Sequence, residues 1–226
     1  MKKFDLMDHR TAWILIAGMI TLALSSCSLI VEKMIGMRKV REIRPDEYRR
    51  LLRRLEANPL DAYLIDSSYV NALWDEIAKW DTGTVNRHCQ PIQALYYGHG
   101  QYPEAWFINC YAPGFPNLDW NRGGLFDTFP PRTAVRSDSL LSFDKLRGLM
   151  LMPENQVSSL PLSGAGQPYT VVFYWNRFLF RQCRRLHRHL KENLSIHEGP
   201  VRIIYLNNDR IFSNLEHSGS ETKRAP

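Results

Sequence analysis

The sequence predicts an α/β domain with a mixed central sheet flanked by helices. Three observations carry this expectation. Tyr169–Trp175, YTVVFYW, is a nearly continuous apolar run with a β-branched centre, the composition of a strand covered on both faces. A helical stretch from about Arg177 to Leu194 follows, and then a second β-branched run, Val201–Leu206. Strand, helix and strand in that order suit a right-handed crossover between parallel neighbours. With 44% hydrophobic residues in 226, there is enough apolar material for a packed core.

The remaining elements are predicted in chain order. Pro45-Asp46-Glu47 begins a helix, with proline at an early position and acids in the first turn. Tyr48, Leu51, Leu52 and Leu55 give it an apolar face, and Asn58-Pro59 ends it. Ala62–Ile65 is a short strand, and Asp66-Ser67-Ser68 caps a second helix whose apolar face is Val70, Leu73, Trp74, Ile77 and Trp80. Asp81-Thr82-Gly83 stops that helix. Strands are expected over Pro91–Tyr97 and Pro103–Tyr111, a loop over 113–136, a helix over Ser139–Met150 and a linker over Pro153–Pro168. Beyond Phe212 the chain is polar and reads as a flexible tail, 213–226.

The N-terminus carries a separate signal. Residues 1–10 are short and biased positive, Thr11–Leu24 is an uncharged, mostly apolar run, and Leu24-Ser25-Ser26-Cys27 follows. An aliphatic residue, two small residues and a cysteine resemble the lipobox of bacterial lipoproteins. There the thiol receives a diacylglyceryl group and the small residues fit the signal peptidase. The resemblance implies a signal peptide over 1–26, lipid on Cys27, a tether over 27–44 and a domain over 45–212. It also implies a location in the cell envelope, with the outer membrane favoured because residue 28 is Ser rather than Asp. An uncleaved anchor is the competing reading, since uncharged sequence continues to Val31 and 21 residues can cross a bilayer. It would make the chain a transmembrane-anchored subunit of an envelope complex. Both readings put the domain outside the cytoplasm.

Charge and cysteines narrow the function classes. The chain has a formal charge of +6, with Arg and Lys clustered at 38–54 and 177–191. An exported chain rarely meets nucleic acid, so none is expected as a partner. Solvated helix faces are the simplest account of both clusters, and anionic head groups are the nearest ligand for the first. After Cys27 the cysteines are Cys89, Cys110 and Cys183. Cys89 and Cys110 are the candidate disulfide of an oxidising compartment. His88, Cys89, His99 and Cys110 have no recognised metal-ligand spacing, and no cofactor motif is present.

Phe173-Tyr174-Trp175 at the end of one strand, and Asn207-Asn208-Asp209 at the end of the next, resemble the first βαβ unit of thioredoxin-like proteins. Pro103 before Ala-Trp-Phe-Ile resembles that fold's proline strand, but it precedes the βαβ unit, so a rearranged strand order is implied. Where the family carries C-x-x-C this chain has Leu179, Phe180, Arg181 and Gln182. Dithiol exchange needs a low-pKa thiolate at a helix start and a resolving cysteine. The resemblance therefore implies a redox-inactive, thioredoxin-like lipoprotein that acts as a binding or scaffold module for an envelope protein partner, with no catalytic residue. The rival is an envelope enzyme using Cys183.

Overall fold

The computed structural model describes residues 36–77, 82–115, 117–132, 140–153 and 169–221. Cys27, the apolar stretch 11–31 and the linker 154–168 lie outside the described residues. The elements are α1 (Pro45–Arg54), β1 (Ala62–Ile65), α2 (Tyr69–Ile77), α3 (Thr82–His88), β2 (Gln93–Tyr97), β3 (Ala105–Ile108), α4 (Phe143–Gly148), β4 (Met150–Leu151), β5 (Tyr169–Trp175), α5 (Phe180–Leu194), β6 (Val201–Asn207) and α6 (Asp209–Glu221).

Six strands form one mixed sheet in the order β3-β2-β5-β6-β1-β4. The expected parallel pair is present: β5 runs beside β6 from Tyr169 opposite Val201 to Trp175 opposite Asn207. β1 extends the parallel set on the far side of β6. β2 is antiparallel to both β5 and β3, and β4 closes the other edge antiparallel to β1.

Because strand side chains alternate between faces, each central strand feeds two cores. Val171, Phe173 and Trp175 pack under α1 and α5, against Tyr48, Leu51, Leu52, Phe180, Leu186 and Leu190. Val172 and Tyr174 pack on the other face, where α2, α3, α4 and α6 supply Leu73, Val85, Leu146 and Ile211. Val171 through Phe173 and Trp175 are wholly buried, as expected of a strand with a nearly unbroken apolar sequence. A loop arm, Leu118–Phe129, caps the first core. Asn193 on α5 ties it down by donating to the carbonyls of Phe126 and Thr128 at 2.7 Å each, and accepts from the Tyr96 hydroxyl at 3.1 Å.

Five expectations differ from what is observed. The β3 strand ends at Ile108, and Asn109–Tyr111 form a 3-10 turn. The expected helix 139–150 is only Phe143–Gly148, because Met150 and Leu151 pair with β1. Gly83 does not stop helical structure but lies inside α3. The expected flexible tail is helical as far as Glu221, continuing α6, whose first turn buries Ile211. Trp74, placed on the apolar face of α2 by spacing, is 44% exposed.

Candidate functional site

Both central parallel strands end in polar residues. Trp175 is followed by Asn176-Arg177, and Asn207 by Asn208-Asp209. From there α5 covers one face of the sheet and α6 the other. Where successive connections of an α/β sheet part in this way, a crevice forms in which ligands commonly bind. Here the protein's own side chains fill it. Asn176 donates to the Pro91 carbonyl at 2.8 Å and accepts from the Leu179 amide at 2.8 Å, which closes the turn leading into α5. Asn208 donates to the same Pro91 carbonyl at 3.0 Å. The fully buried Asp209 carboxylate accepts from the Arg177 amide at 2.8 and 3.0 Å and from Asn207 Nδ2 at 2.8 Å. Burial pushes its carboxyl up to about 6, against the pull of those donors and of the Arg177 charge.

Arg177 links this crevice to α1. Its Nε donates to Glu47 Oε1 at 3.1 Å and its Nη1 to the Lys39 carbonyl at 2.5 Å. Glu47 is buried, yet Arg38, Arg41 and Arg50 also reach it, Arg41 at 2.6 Å. Burial raises the Glu47 carboxyl, but the Arg177 charge and the Arg41 hydrogen bond outweigh it and hold the group below its ordinary value. The Arg38 amide donates to the Phe178 carbonyl at 2.9 Å. Residues 38–41 are thus strapped across this end of the domain.

The C-x-x-C expected from the thioredoxin-like resemblance would fall at Leu179–Gln182, at the start of α5. Leu179 and Phe180 there are buried and pack in the core. Cys183, three positions after Phe180, is completely buried, and its thiol contacts the Asn176 carbonyl at 3.7 Å. Burial pushes that thiol up to about 12, far from the range of a reactive thiolate. Cys89 is half-buried behind α3 and Cys110 is exposed in the turn after β3, and both are free thiols in the structure. Their neighbours Gln90 and Asn109 are hydrogen-bonded at 3.0 Å, so the two segments adjoin.

His88 closes the second core. It is buried, its ring stacks on Trp106 with centroids 4.2 Å apart, and neither ring nitrogen has a hydrogen-bond partner. Burial, and next the Arg87 charge, lower it to about 3, so the ring is neutral at physiological pH. Among the described residues no three His, Cys, Asp or Glu side chains converge as a metal site would require. His187 is also held neutral, lowered to about 4 chiefly by burial, and its Nε2 lies 2.9 Å from the Tyr205 hydroxyl.

Outside the buried network, an open groove of about 830 Å³ runs between α1 and α5. Seven of its lining side chains are Arg or Lys and two are Glu. On α5, Arg181, Arg184, Arg188 and Lys191 recur at helical spacing and are all exposed. Arg54 of α1 lies over the Phe180 ring, 5.3 Å from its centroid.

Comparison of the chain with protein-family models, with curated proteins and with solved structures finds no match in any of the three. Among the described residues, no helix is long and apolar enough to cross a membrane. Sequence reasoning pointed to the cysteines, and of these the structure lays out Cys89, Cys110 and Cys183 in two unconnected places. It missed the Glu47–Arg177–Asp209 network. Its local signal was present, namely Asn176-Arg177 and Asn207-Asn208-Asp209 at the ends of two apolar strands, but the partner Glu47 lies 130 residues from Arg177.

Proposed function

We propose that the chain is an envelope lipoprotein held to the membrane by lipid on Cys27, with a redox-inactive, thioredoxin-like domain that serves as a binding or scaffold module. The observation that carries this reading is the start of α5, where buried Leu179 and Phe180 occupy the place of a dithiol and the nearest thiol, Cys183, is enclosed and held protonated. The βαβ unit with its Asn207-Asn208-Asp209 end supports the thioredoxin-like assignment. So does the antiparallel hairpin β2–β3, which precedes that unit in sequence yet pairs with β5 in the sheet, as a rearranged order would have it. The Leu24-Ser25-Ser26-Cys27 motif supports the anchor.

The rival enzyme would need Cys183 as a nucleophile, which its burial disfavours. Two measurements test the proposal. Mass spectrometry of the mature N-terminus should find a diacylated Cys27, and an intact Met1 would replace the lipid anchor with an uncleaved membrane helix. An insulin-reduction assay on the full chain should show no turnover above background. Turnover that disappears in Cys183→Ser would restore the oxidoreductase.

A further inference from the structure

We propose that the arginine-rich groove between α1 and α5 is a docking face for a bilayer of anionic phospholipid, which seats the domain flat on the membrane that anchors it. The inference rests on the lipid-anchor reading and adds an orientation and a ligand chemistry to it.

Charge comes first. The groove has an excess of cations, and one of its two acids is already engaged, since Glu56 accepts from Lys191 at 2.6 Å. Arg181, Arg184 and Arg188 form a row along the exposed side of α5. Arg54, held on the Phe180 ring, lies across the groove from them. From Arg181 to Lys191 the row covers about 15 Å of helix at 1.5 Å rise per residue, so its cations are spread along the groove. A small anion needs convergent donors, whereas a plane of phosphate groups is met by a row of them.

The path of the chain supplies the second argument. Gly36, where the described chain begins, lines this same groove together with Met37 and Arg38. Its backbone turns through φ +71°, and a Cβ there would stand 3.0 Å from Arg181 Cδ. The tether therefore arrives directly over the first turn of α5. Cys27 lies nine residues earlier in the sequence. Nine residues reach at most roughly 30 Å fully extended. An anchored Cys27 thus holds the groove within about 30 Å of the membrane. Polybasic surfaces held beside anionic lipid are drawn onto it within a Debye length, and tethering raises the local concentration of head groups.

The test uses the full, lipidated chain reconstituted into vesicles of phosphatidylcholine, alone or mixed with phosphatidylglycerol. Flotation with the vesicles reads the anchor. Phenylglyoxal labelling of individual arginines, read by peptide mass spectrometry, reads the docking. The protein should float with both vesicle types. Labelling of Arg184 and Arg188 should fall roughly tenfold with phosphatidylglycerol only. Concentrated salt should restore it without releasing the protein. Exposed Arg87, on α3 at the opposite face, should label equally in both. Flotation with equal labelling of Arg184 and Arg188 in the two vesicle types overturns the docking face and leaves the anchor standing. Failure to float with phosphatidylcholine, combined with protection by phosphatidylglycerol, overturns the anchor and leaves the docking face. Protection by polyglutamate but not by either vesicle overturns the lipid surface in favour of an acidic protein partner.

Discussion

Glu47 and His88 are both buried titratable side chains, one on each side of the sheet, and the protein treats them in opposite ways. Glu47 is kept charged: four arginines reach it, and Arg177 meets it in the interior. His88 is kept uncharged: it has a stacked aromatic neighbour and no partner for either nitrogen. A buried charge is tolerated when donors surround it, and a buried base without partners gives up its proton instead. The difference follows from location. Glu47 sits where residues 38–41 cross the end of the sheet, so its ion pairs hold separate parts of the chain together. His88 sits at the end of a short helix over an apolar core.

The largest expected effect breaks the Glu47 side of this comparison. Glu47→Gln removes the negative charge and leaves Arg177 buried among three other guanidinium groups. Losing one partner of a buried ion pair costs about 3 to 5 kcal/mol. Chemical denaturation should show a loss of that order. Arg177→Met in the same chain should recover part of it, because the stranded charge is then gone. A Glu47→Gln variant as stable as wild type would mean that the cluster is a solvated surface feature.

The second effect is smaller and opposite in sign. His88→Phe keeps a ring against Trp106 and removes two unbonded buried nitrogens, so stability should rise by about 1 to 3 kcal/mol, the usual penalty of an unsatisfied buried polar group. Its pH dependence sharpens the contrast. The folded-state value of His88, about 3, lies below its ordinary 6.5. The unfolded chain therefore binds the proton first as pH falls, and the stability present above 6.5 is lost progressively toward 3. His187, at about 4, acts in the same direction. Asp209 opposes them: its raised value means stability falls as pH rises from 3.8 to about 6. Glu47, held below 4.5, loses its contribution only under that value. Melting temperatures between pH 6.5 and 4.5 should thus decline more in wild type than in His88→Phe. Parallel curves would show that His88 is not protected from protonation.

How far each region was legible in the sequence follows from the range of its interactions. The β5–α5–β6 unit was readable because Val171–Trp175 and Val201–Leu206 carry their burial in their own composition. Helix α3 was not, since a Gly in its first turn and a single buried apolar residue, Val85, give no period to detect. The amphipathic pattern of α2 was right for Leu73 and wrong for Trp74, because a face predicted from spacing includes flanking positions that the neighbours do not reach. In the candidate site, the sequence Leu179–Gln182 carries no C-x-x-C, but the burial of Cys183 needed the packing of α5 on β5. The Glu47 cluster was invisible because three of its four arginines, Arg38, Arg41 and Arg177, lie outside α1, and an arginine in a basic segment reads the same whether it faces water or a carboxylate.

The smallest expected effect separates stabilising arginines from the exposed row on α5. Arg177 is 9% exposed at its side chain and bonds to both Glu47 and the Lys39 carbonyl. Arg188 is exposed on α5, eleven positions later, with no ion pair among the described residues. Removing an exposed side chain of this kind changes stability by no more than about 0.5 kcal/mol. Arg188→Ala should therefore melt with wild type, while Arg177→Ala, which leaves Glu47 without its one buried partner, should not. If Arg188→Ala were as damaging as Arg177→Ala, the α5 row would be part of the scaffold, and its positive charge would need no external ligand to explain it. If the two variants separate as expected, the fold does not need the charge at Arg188, which leaves it free to meet an anionic surface.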